Sequence, residues 1–322
     1  MKKKILILLI LIIIIAAVIA ACDNKAEEAF NETSPDKASD SPARNGQVSG
    51  YSKNPNEHIA VIVDTVVDVF KKPDIKSERI TQAIFNQPVA VLEEEGVWIK
   101  VKTADGCTGW IKSRFADTDC YSITAEDYNF RVLVTGKSKR VLSQPQGGIT
   151  IKEVVMGTEF YSSKKMEGAY QVALPGRVIG WISETGTIEL PVQKHIPQTS
   201  AEDFVATALK LKGTSYLLGG ISTWGIDCSG LTYISARING VDLPRSANEQ
   251  FRAGSMVSKK LINRGDLVYF SREPGSDDIS DIGIALGDGN FLYASKSKGY
   301  VTISSLDEPF FNDRLIGVKR LF

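Results

Sequence analysis

The sequence predicts two small all-β units followed by a domain that contains both helices and strands. The β prediction rests on two stretches that alternate apolar and polar residues around a tight turn and end in Gly-Trp-Ile. The tryptophans of the two stretches, Trp110 and Trp181, are separated by 71 positions in the sequence. A repeat of this length indicates a duplicated small domain rather than a solenoid. The helix prediction rests on two apolar patterns of helical spacing, from Phe204 to Leu211 and from Leu231 to Ile238.

The composition is that of ordinary folded domains. The 322 residues are 43% hydrophobic and 24% charged, with 38 basic and 38 acidic side chains. This balance excludes a strongly basic nucleic-acid-binding protein. Four cysteines and two histidines are too few for a dense disulfide framework or a His/Cys zinc cluster, so we expect no metal site.

The N-terminus has the pattern of an export signal. Three lysines precede an apolar run from Ile5 to Ala21, and Cys22 follows directly. The small residues before this cysteine resemble a bacterial lipobox, so we interpret residues 1–21 as a lipoprotein signal peptide and Cys22 as the lipidation site. A transmembrane anchor and a cleaved signal without lipid are the alternatives. All three place the rest of the chain outside the cytoplasm, and the first attaches it to the cell membrane by a lipid.

Residues 22–55 differ in composition from the rest of the chain. Asn, Ser, Pro and charged residues dominate, and large apolar side chains are nearly absent. Such a segment cannot bury enough apolar surface to offset the entropy of ordering it. We interpret it as a flexible tether between the membrane and the folded domains.

The two predicted β units cover residues 56–120 and 125–191. Their Gly-Trp-Ile segments resemble bacterial SH3 domains, and the first unit does so more closely than the second. The resemblance leaves two alternatives open: recognition of the cell wall, or a spacer that packs on the neighbouring domain and shapes its cleft. The aromatic residues of both units fall on strand-like stretches, so we expect them in the cores: Trp98, Trp110, Tyr170 and Trp181.

Two cysteines, Cys107 and Cys120, lie near the end of the first unit. A disulfide between them would persist outside the cytoplasm, and two separate buried thiols are the alternative. Pairing would leave Cys228 as the free thiol of the mature folded part.

Cys228 lies at the beginning of the second predicted helix. Unpaired backbone amides and the helix dipole favour an anion at that position, so the pattern predicts a stabilised thiolate and a nucleophilic cysteine. The alternative is a small buried cysteine used for packing. The glycine-rich segments on both sides favour the nucleophile.

Five blocks of the C-terminal region occur in the order of a known family. They are Tyr216 to Gly220, Asp227 to Gly230, Leu243 to Ser246, Gly265 to Phe270 and Ile282 to Gly289. Together they resemble the NlpC family of papain-like cell-wall cysteine peptidases. The resemblance implies a papain-like α+β domain over residues 196–322, in which the nucleophile-bearing helix packs on an antiparallel sheet. It also implies a peptidoglycan stem peptide as substrate, cut between the D-glutamyl residue and the diamino acid.

The resemblance assigns roles position by position. Cys228 takes the place of the nucleophile, and Asp227 that of the carboxylate that can hold the free amine of the stem peptide. Tyr216 takes the place of the tyrosine that lines the site beside the cysteine. Three further residues fall at substrate-binding positions of the cleft: Ser229, Arg245 and Ser246.

No cofactor is expected. A glycine-rich phosphate loop in a strand–helix context is absent from the sequence, so we expect no nucleotide. The segment Gly287-Asp288-Gly289 is interpreted as a hairpin turn instead. The expected partners are peptidoglycan stem peptides and, through the lipid, the membrane.

The match to the family breaks at both of its histidine positions. Asp281 replaces the general base, and Tyr293 replaces the third, orienting residue; these two and Cys228 make up the candidate catalytic set. His58 and His195, the histidines of the chain, lie in the first β unit and in the linker before the C-terminal domain. Free Asp and Cys side chains differ by roughly 4.6 pKa units, or about 6 kcal/mol, so proton transfer from the thiol to a carboxylate is uphill.

Two hypotheses of different class therefore remain. The first is a cell-wall cysteine peptidase with an altered Cys–Asp pair, supported by the intact surroundings of Cys228. The second is a catalytically inactive peptidoglycan-binding or scaffold lipoprotein, supported by the loss of both imidazoles. An ionised Asp281 would disfavour the thiolate that an imidazolium would favour, and it has no proton for the leaving amine.

Overall fold

The computed structural model describes residues 58–166, 168–193 and 195–322. The predicted signal peptide, the lipidation site Cys22 and the predicted tether lie outside these ranges. Within them, no helix combines the length and the hydropathy that crossing a bilayer requires.

The first β unit is a seven-stranded antiparallel sheet in the order β3-β2-β6-β5-β4-β1-β7. Alternate side chains such as Val67 and Val69 are buried, as the period-two pattern predicts. Its strands are β1 (Ile59–Ile62), β2 (Val66–Phe70), β3 (Arg79–Ile84), β4 (Pro88–Glu95), β5 (Trp98–Lys102), β6 (Thr108–Lys112) and β7 (Ala116–Asp117).

The second β unit has two antiparallel sheets, in the orders β10-β9-β14-β13-β12 and β11-β8-β15. Its core includes Val132, Phe160, Val172 and Ile182, all fully buried. Its strands are β8 (Phe130–Val134), β9 (Ser138–Leu142), β10 (Thr150–Val155), β11 (Glu159–Ser162), β12 (Lys164–Met166), β13 (Ala169–Leu174), β14 (Val178–Ser183) and β15 (Thr187–Pro191).

The Gly-Trp-Ile segment makes the same type of contact in both β units. In each unit the tryptophan pairs with the last residue of an earlier strand, β2 or β9, and is 8% exposed. The glycine before it allows this approach. A Cβ at Gly109 would lie 2.6 Å from the Phe70 carbonyl oxygen, and one at Gly180 would lie 2.4 Å from a Val141 methyl group. Core positions for these tryptophans are confirmed, whereas Trp98 is only half-buried.

The C-terminal domain packs helices on a six-stranded antiparallel sheet in the order β18-β23-β19-β20-β21-β22. The longest buried helix, α2, lies against β20 and β21. The elements are α1 (Ala201–Lys210), β16 (Ile221–Ser222), β17 (Gly225–Ile226), α2 (Cys228–Ile238), α3 (Ala247–Gln250), β18 (Ser255–Met256), β19 (Leu267–Ser271), β20 (Ile279–Gly287), β21 (Asn290–Ser295), β22 (Tyr300–Ser305), α4 (Pro309–Asn312) and β23 (Leu315–Arg320).

Local sequence signals explain where these elements begin and end. Ser200 and Asp203 form a reciprocal capping box at the start of α1, each accepting a hydrogen bond from the other's backbone amide. The helix α2 ends at Ile238, the last residue of the predicted apolar pattern. Asp288, in the left-handed region with φ of 50°, lies in the turn between β20 and β21, which confirms the predicted hairpin.

One apolar cluster joins all three units. It combines residues of α1, α2 and the C-terminal sheet with residues of both β units, namely Ile84, Leu133, Val155, Met156 and Leu190. The packing is tight at Gly157, where a Cβ would lie 2.5 Å from the Ile234 Cδ1 atom of α2. The β units are therefore packed onto the helices that carry the site.

Cys107 and Cys120 are separate thiols, each half-buried. The sequence left open a disulfide or two separate thiols, and the structure contains two separate thiols. The Cys120 thiol donates a hydrogen bond to the Ile59 carbonyl oxygen, 3.5 Å away. Burial, followed by the charge of Asp105, raises the pKa of the Cys107 thiol to about 12.

Candidate active site

Cys228 is the first residue of α2, as the sequence predicts, and its side chain is 8% exposed. The helix directs Sγ toward β20, where the thiol donates to the Ser280 carbonyl oxygen at 3.8 Å. This is its one hydrogen bond to a carbonyl oxygen among the described residues. The thiol therefore faces the strand that carries Asp281.

The thiol of Cys228 is protonated at neutral pH. Burial raises its pKa to about 12, and the negative charges of Asp227 and Asp281 act in the same direction. A hydrogen bond from the Ile282 backbone amide and the charge of Arg245 lower the pKa by less. The predicted stabilised thiolate is therefore not found, because burial and two carboxylates outweigh the helix N-terminus.

Asp281 lies on β20 beside this contact, but its carboxyl group bonds elsewhere. Ser280 Oγ donates to Asp281 Oδ2 at 2.9 Å, and no hydrogen bond joins the described carboxyl oxygens to Cys228 Sγ. Burial raises the pKa of Asp281, while Ser280, Arg272 and Lys296 lower it by less. The group is thus a partly buried acid near a protonated thiol.

Tyr293 does not orient Asp281. Its hydroxyl group donates to Ser295 Oγ at 3.1 Å, and its ring packs against Phe291 and Phe311 with centroid distances of 5.2 and 5.3 Å. The residue at the family's third position is therefore part of an aromatic cluster in this chain. Its assignment to the catalytic set stays a prediction without a supporting contact.

Neither histidine reaches the thiol. His58 precedes β1 and His195 follows β15, and both side chains are exposed. Within the described ranges, neither forms a hydrogen bond with Cys228. The site consequently has no imidazole to accept the thiol proton.

Asp227 caps α2, and its carboxylate is fully occupied. Oδ1 accepts hydrogen bonds from the Gly230 backbone amide at 2.7 Å and from Ser229 Oγ at 3.3 Å. Oδ2 accepts from the Gly219 backbone amide at 2.8 Å and from the Arg245 guanidinium at 2.8 Å. A carboxylate offers about four acceptor positions, so an incoming amine would have to displace one of these donors.

Arg245 connects this cap to the first β unit. It is 5% exposed, and its Nη1 donates to Ser229 Oγ at 2.7 Å. Its Nε donates to Thr81 Oγ1 of β3 at 3.2 Å and lies 4.0 Å from Asp105 Oδ2. The buried guanidinium thus stands between one carboxylate of each domain.

The remaining candidates differ in how closely they approach the thiol. Tyr216 is half-buried, and burial, followed by nearby negative charge that includes Asp227 and Asp281, raises the pKa of its hydroxyl group to about 12. Ser246 caps the short helix α3, where it accepts from the Glu249 amide at 3.3 Å. It makes no described contact with Cys228, so a substrate-binding role for it has no support here.

Sequence reasoning missed the residues that the first β unit contributes. Thr81 and Asp105 hold Arg245, and Gln82 Oε1 accepts from the Ile221 amide and from Ser222 Oγ, both at 3.2 Å. Asp105 lies in a turn, and no local pattern marks such a polar residue as a contact to another domain. Within the described residues, no cluster of three His, Cys, Asp or Glu side chains is arranged to hold a metal ion.

Comparison with known families agrees with this architecture. The NlpC/P60 family matches residues 213–320, and the bacterial SH3 domain matches residues 65–117. The fold and the site thus define a chain that contains an NlpC/P60 domain preceded by a bacterial SH3 domain.

Individual proteins resemble the chain over most of its length. The γ-D-glutamyl-L-lysine dipeptidyl-peptidase of Bacillus cereus is 28% identical over 255 residues, which is 74% of each chain. The Bacillus subtilis protein of the same name is 29% identical over 252 residues, 75% of this chain and 81% of the relative. A crystal structure of an NlpC/P60 family protein from Bacillus cereus has a TM-score of 0.74 at 24% identity, covers 81% of this chain and 99% of its own, and confirms the fold alone.

Proposed function

We propose that this chain binds peptidoglycan stem peptides at the Cys228 cleft and has lost the cysteine–imidazole turnover of related peptidases. The observation that carries the proposal is that the buried Cys228 thiol donates to the Ser280 carbonyl oxygen, while Asp281, which stands in place of the family's imidazole, accepts from the Ser280 hydroxyl group instead. Burial and the neighbouring carboxylates raise the pKa of this thiol, so the thiolate is disfavoured at neutral pH. No described neighbour both accepts the thiol proton and delivers one to a leaving amine.

Recognition of a stem peptide is supported by the relatives and by the residues that remain. Two relatives that match about three quarters of the chain carry the name γ-D-glutamyl-L-lysine dipeptidyl-peptidase. By the family resemblance, Asp227 takes the place of the carboxylate that can hold the substrate amine and Tyr216 that of the tyrosine beside the cysteine, although Asp227 would first have to release a donor. A binding role needs this cleft but does not need a thiolate.

We also infer that residues 125–191 form a second SH3-like barrel. The support is the repeated contact, in which Trp181 pairs with Leu142 as Trp110 pairs with Phe70. Attachment to the membrane through Cys22, outside the cytoplasm, remains part of the proposal. Mass spectrometry of the mature N-terminus that finds no lipid on Cys22 would contradict it.

A second candidate is a weak peptidase with an altered pair. It is favoured by the raised pKa of Asp281, because a protonated carboxyl group near Cys228 has a proton to give to the leaving amine. It would still need another base for the thiol. Turnover by this route would be slow at every pH, because the high pH that forms the thiolate also removes the proton from Asp281.

The deciding experiment offers the protein the tripeptide L-Ala-γ-D-Glu-L-Lys with a free N-terminus. Binding is measured by calorimetry and cleavage by mass spectrometry, for the parent protein and for Asp281→His, Asp281→Asn and Cys228→Ala. We expect the parent to bind without cleavage. We expect Asp281→His to gain turnover and a faster alkylation of Cys228 near neutral pH, since an imidazolium stabilises the thiolate.

Asp281→Asn is the matched control, because it removes the carboxyl group without supplying a base. Cleavage by the parent protein that Cys228→Ala abolishes would refute the loss of turnover and support the altered pair. Absence of any peptide binding in both the parent and Cys228→Ala would refute the stem-peptide cleft itself.

A further inference from the structure

A groove of about 430 Å³ lies where the first β unit meets the C-terminal domain. We call it the junction groove. Asp227, Cys228 and Asp281 do not line it, although Leu217, the chain neighbour of Tyr216, does. Its walls come from β2, the β2–β3 segment, the end of β6 with the residues after it, and the turn between β16 and β17: Phe70, Ile75, Lys112, Arg114, Phe115 and Trp224.

Two cations in the junction groove have no carboxylate partner among the described residues. The Lys112 ammonium lies 5.0 Å from the Trp98 ring centroid, and the Arg114 guanidinium lies 4.8 Å from that of Phe115. Such ring contacts orient a cation without neutralising it. Both cations thus remain available to an anionic ligand.

The nearby carboxylates are already engaged. Asp68, the acidic residue that lines the groove, pairs with Arg79 at 2.7 Å and accepts from the Gln82 amide group at 2.9 Å. Asp64, whose pKa is lowered in part by the charge of Arg114, pairs with Lys152 at 3.0 Å. The groove therefore has a net positive charge.

The junction groove also exposes large apolar side chains. Trp224 is 56% exposed and Ile75 is 62% exposed, and both line the same cavity from opposite domains. Exposed apolar side chains next to unpaired charges are typical of ligand-binding sites. Two hydrogen bonds join the domains beside the groove: Arg79 Nη1 donates to the Leu218 carbonyl oxygen at 3.1 Å, and Gln82 Oε1 accepts from the Ile221 amide at 3.2 Å.

We propose that the junction groove binds an acidic peptide, with carboxylates at Lys112 and Arg114 and with its apolar parts against Trp224 and Ile75. The volume suits a segment of a few residues. A neutral carbohydrate chain would leave both cations unpaired, and a nucleic acid would require more cations than these two. This site is independent of whether the Cys228 cleft binds or cleaves a stem peptide.

The test uses the purified protein and an oligomer of four γ-linked D-glutamates as the probe. Its control is the same oligomer with every α-carboxylate converted to an amide. We expect the acidic oligomer, and not the neutral one, to change the tryptophan fluorescence, and we expect Trp224→Phe to remove most of that change. The affinity should weaken as ionic strength rises from about 0.05 M to about 0.5 M, because exposed charges are screened.

Charge-neutral variants locate the site. The double variant Lys112→Gln/Arg114→Gln is expected to bind about tenfold more weakly, the size typical of two exposed ion pairs. Lys260→Gln, which removes an exposed lysine outside the groove, should leave the affinity unchanged. Equal binding of the charged and amidated oligomers, or no effect of the double variant, would overturn the proposal.

A separate readout distinguishes this site from the Cys228 cleft. In Asp281→His, where Cys228 is expected to react faster, protection of this thiol against iodoacetamide by bound L-Ala-γ-D-Glu-L-Lys reports on the cleft, and the Trp224 signal reports on the groove. Protection without a response to the acidic oligomer would refute the groove and leave the proposed function intact. If a neutral N-acetylglucosamine oligomer changed the Trp224 fluorescence equally in the parent and in Lys112→Gln/Arg114→Gln, the ligand of the groove would be a carbohydrate and not an acidic peptide.

Discussion

Asp281 occupies a position that is unfavourable for an ionised carboxylate. Burial raises its pKa, and its one strong local partner is the neutral Ser280 hydroxyl group. The folded protein therefore holds the Asp281 proton more tightly than the unfolded chain does. Asp281 takes the position of the family's imidazole, and ionisation of Asp281 lowers the stability of the folded protein.

Asp281→Asn is expected to stabilise the protein at neutral pH and to change it little in acid. With a folded-state pKa raised above 3.8, the parent's stability from this group is complete below that value and is lost as pH rises through the folded-state pKa. The amide has no charge to lose. Melting temperatures measured from about pH 3 to about pH 7 should diverge by a few degrees toward neutrality.

Exposed Asp307→Asn serves as the control for that series and should follow the parent at every pH. If Asp281→Asn and the parent melted with a pH-independent difference, the stabilised carboxylic acid would be ruled out. A lower melting temperature for the variant at neutral pH would show that the ionised form of Asp281 is favourable.

At the scale of secondary-structure elements, the beginning of α2 depends on a residue from outside the helix. Asp227 satisfies amides at the helix start, and Arg245 holds Asp227 while contacting Thr81 and Asp105 of the first β unit. A buried arginine between two carboxylates is expensive to desolvate, yet removing it leaves uncompensated charge. The first β unit is therefore part of what positions Cys228.

Arg245→Met is expected to lower the free energy of unfolding by about 3–5 kcal/mol, because Asp227 and Asp105 then remain buried without a counter-charge. Arg272→Met is the matched control. Arg272 pairs with Asp278 at 2.9 Å at the surface, so its loss should cost less than about 1 kcal/mol. Urea unfolding of the three proteins checks the difference.

A second variant separates charge from packing in this network. Asp105→Asn leaves the shape of the network unchanged, and it should cost less than Arg245→Met because Asp227 still balances Arg245. Equal stability of Arg245→Met and the parent would show that the guanidinium does not balance these carboxylates.

At the scale of the whole molecule, sequence patterns predicted most elements but not their assembly. The boundaries of α1 and α2 follow from local caps and apolar spacing, and the cores of the β units follow from period-two alternation. Contacts between domains have no such local pattern. Arg245 was predicted as a cleft residue, but its partners Thr81 and Asp105 are more than a hundred residues away in the chain.

The same limit applies to the electrostatics of the site. A helix start predicts a stabilised thiolate, and the position of Cys228 at the start of α2 is confirmed. Burial depends on the tertiary packing of β20 and on the neighbouring carboxylates, which the helix pattern does not contain. The pKa of the thiol is therefore raised where the local argument predicts it to be lowered.

The shared core predicts that the three units unfold together. Ile234 of α2 meets Gly157 of the second β unit and lies in one cluster with Ile84 of the first. Ile234→Ala should therefore lower the free energy of unfolding by about 2–5 kcal/mol for all three units at once.

Two probes report on the units separately. Tryptophan fluorescence reports on the β units, since three of the four tryptophans lie there, and alkylation of Cys228 reports on the C-terminal domain. Coincident transitions in urea, shifted equally by Ile234→Ala and hardly at all by exposed Leu261→Ala, are the expected result. Transitions that separate, with Ile234→Ala moving only the Cys228 probe, would mean that the β units are stable without the helices they cover.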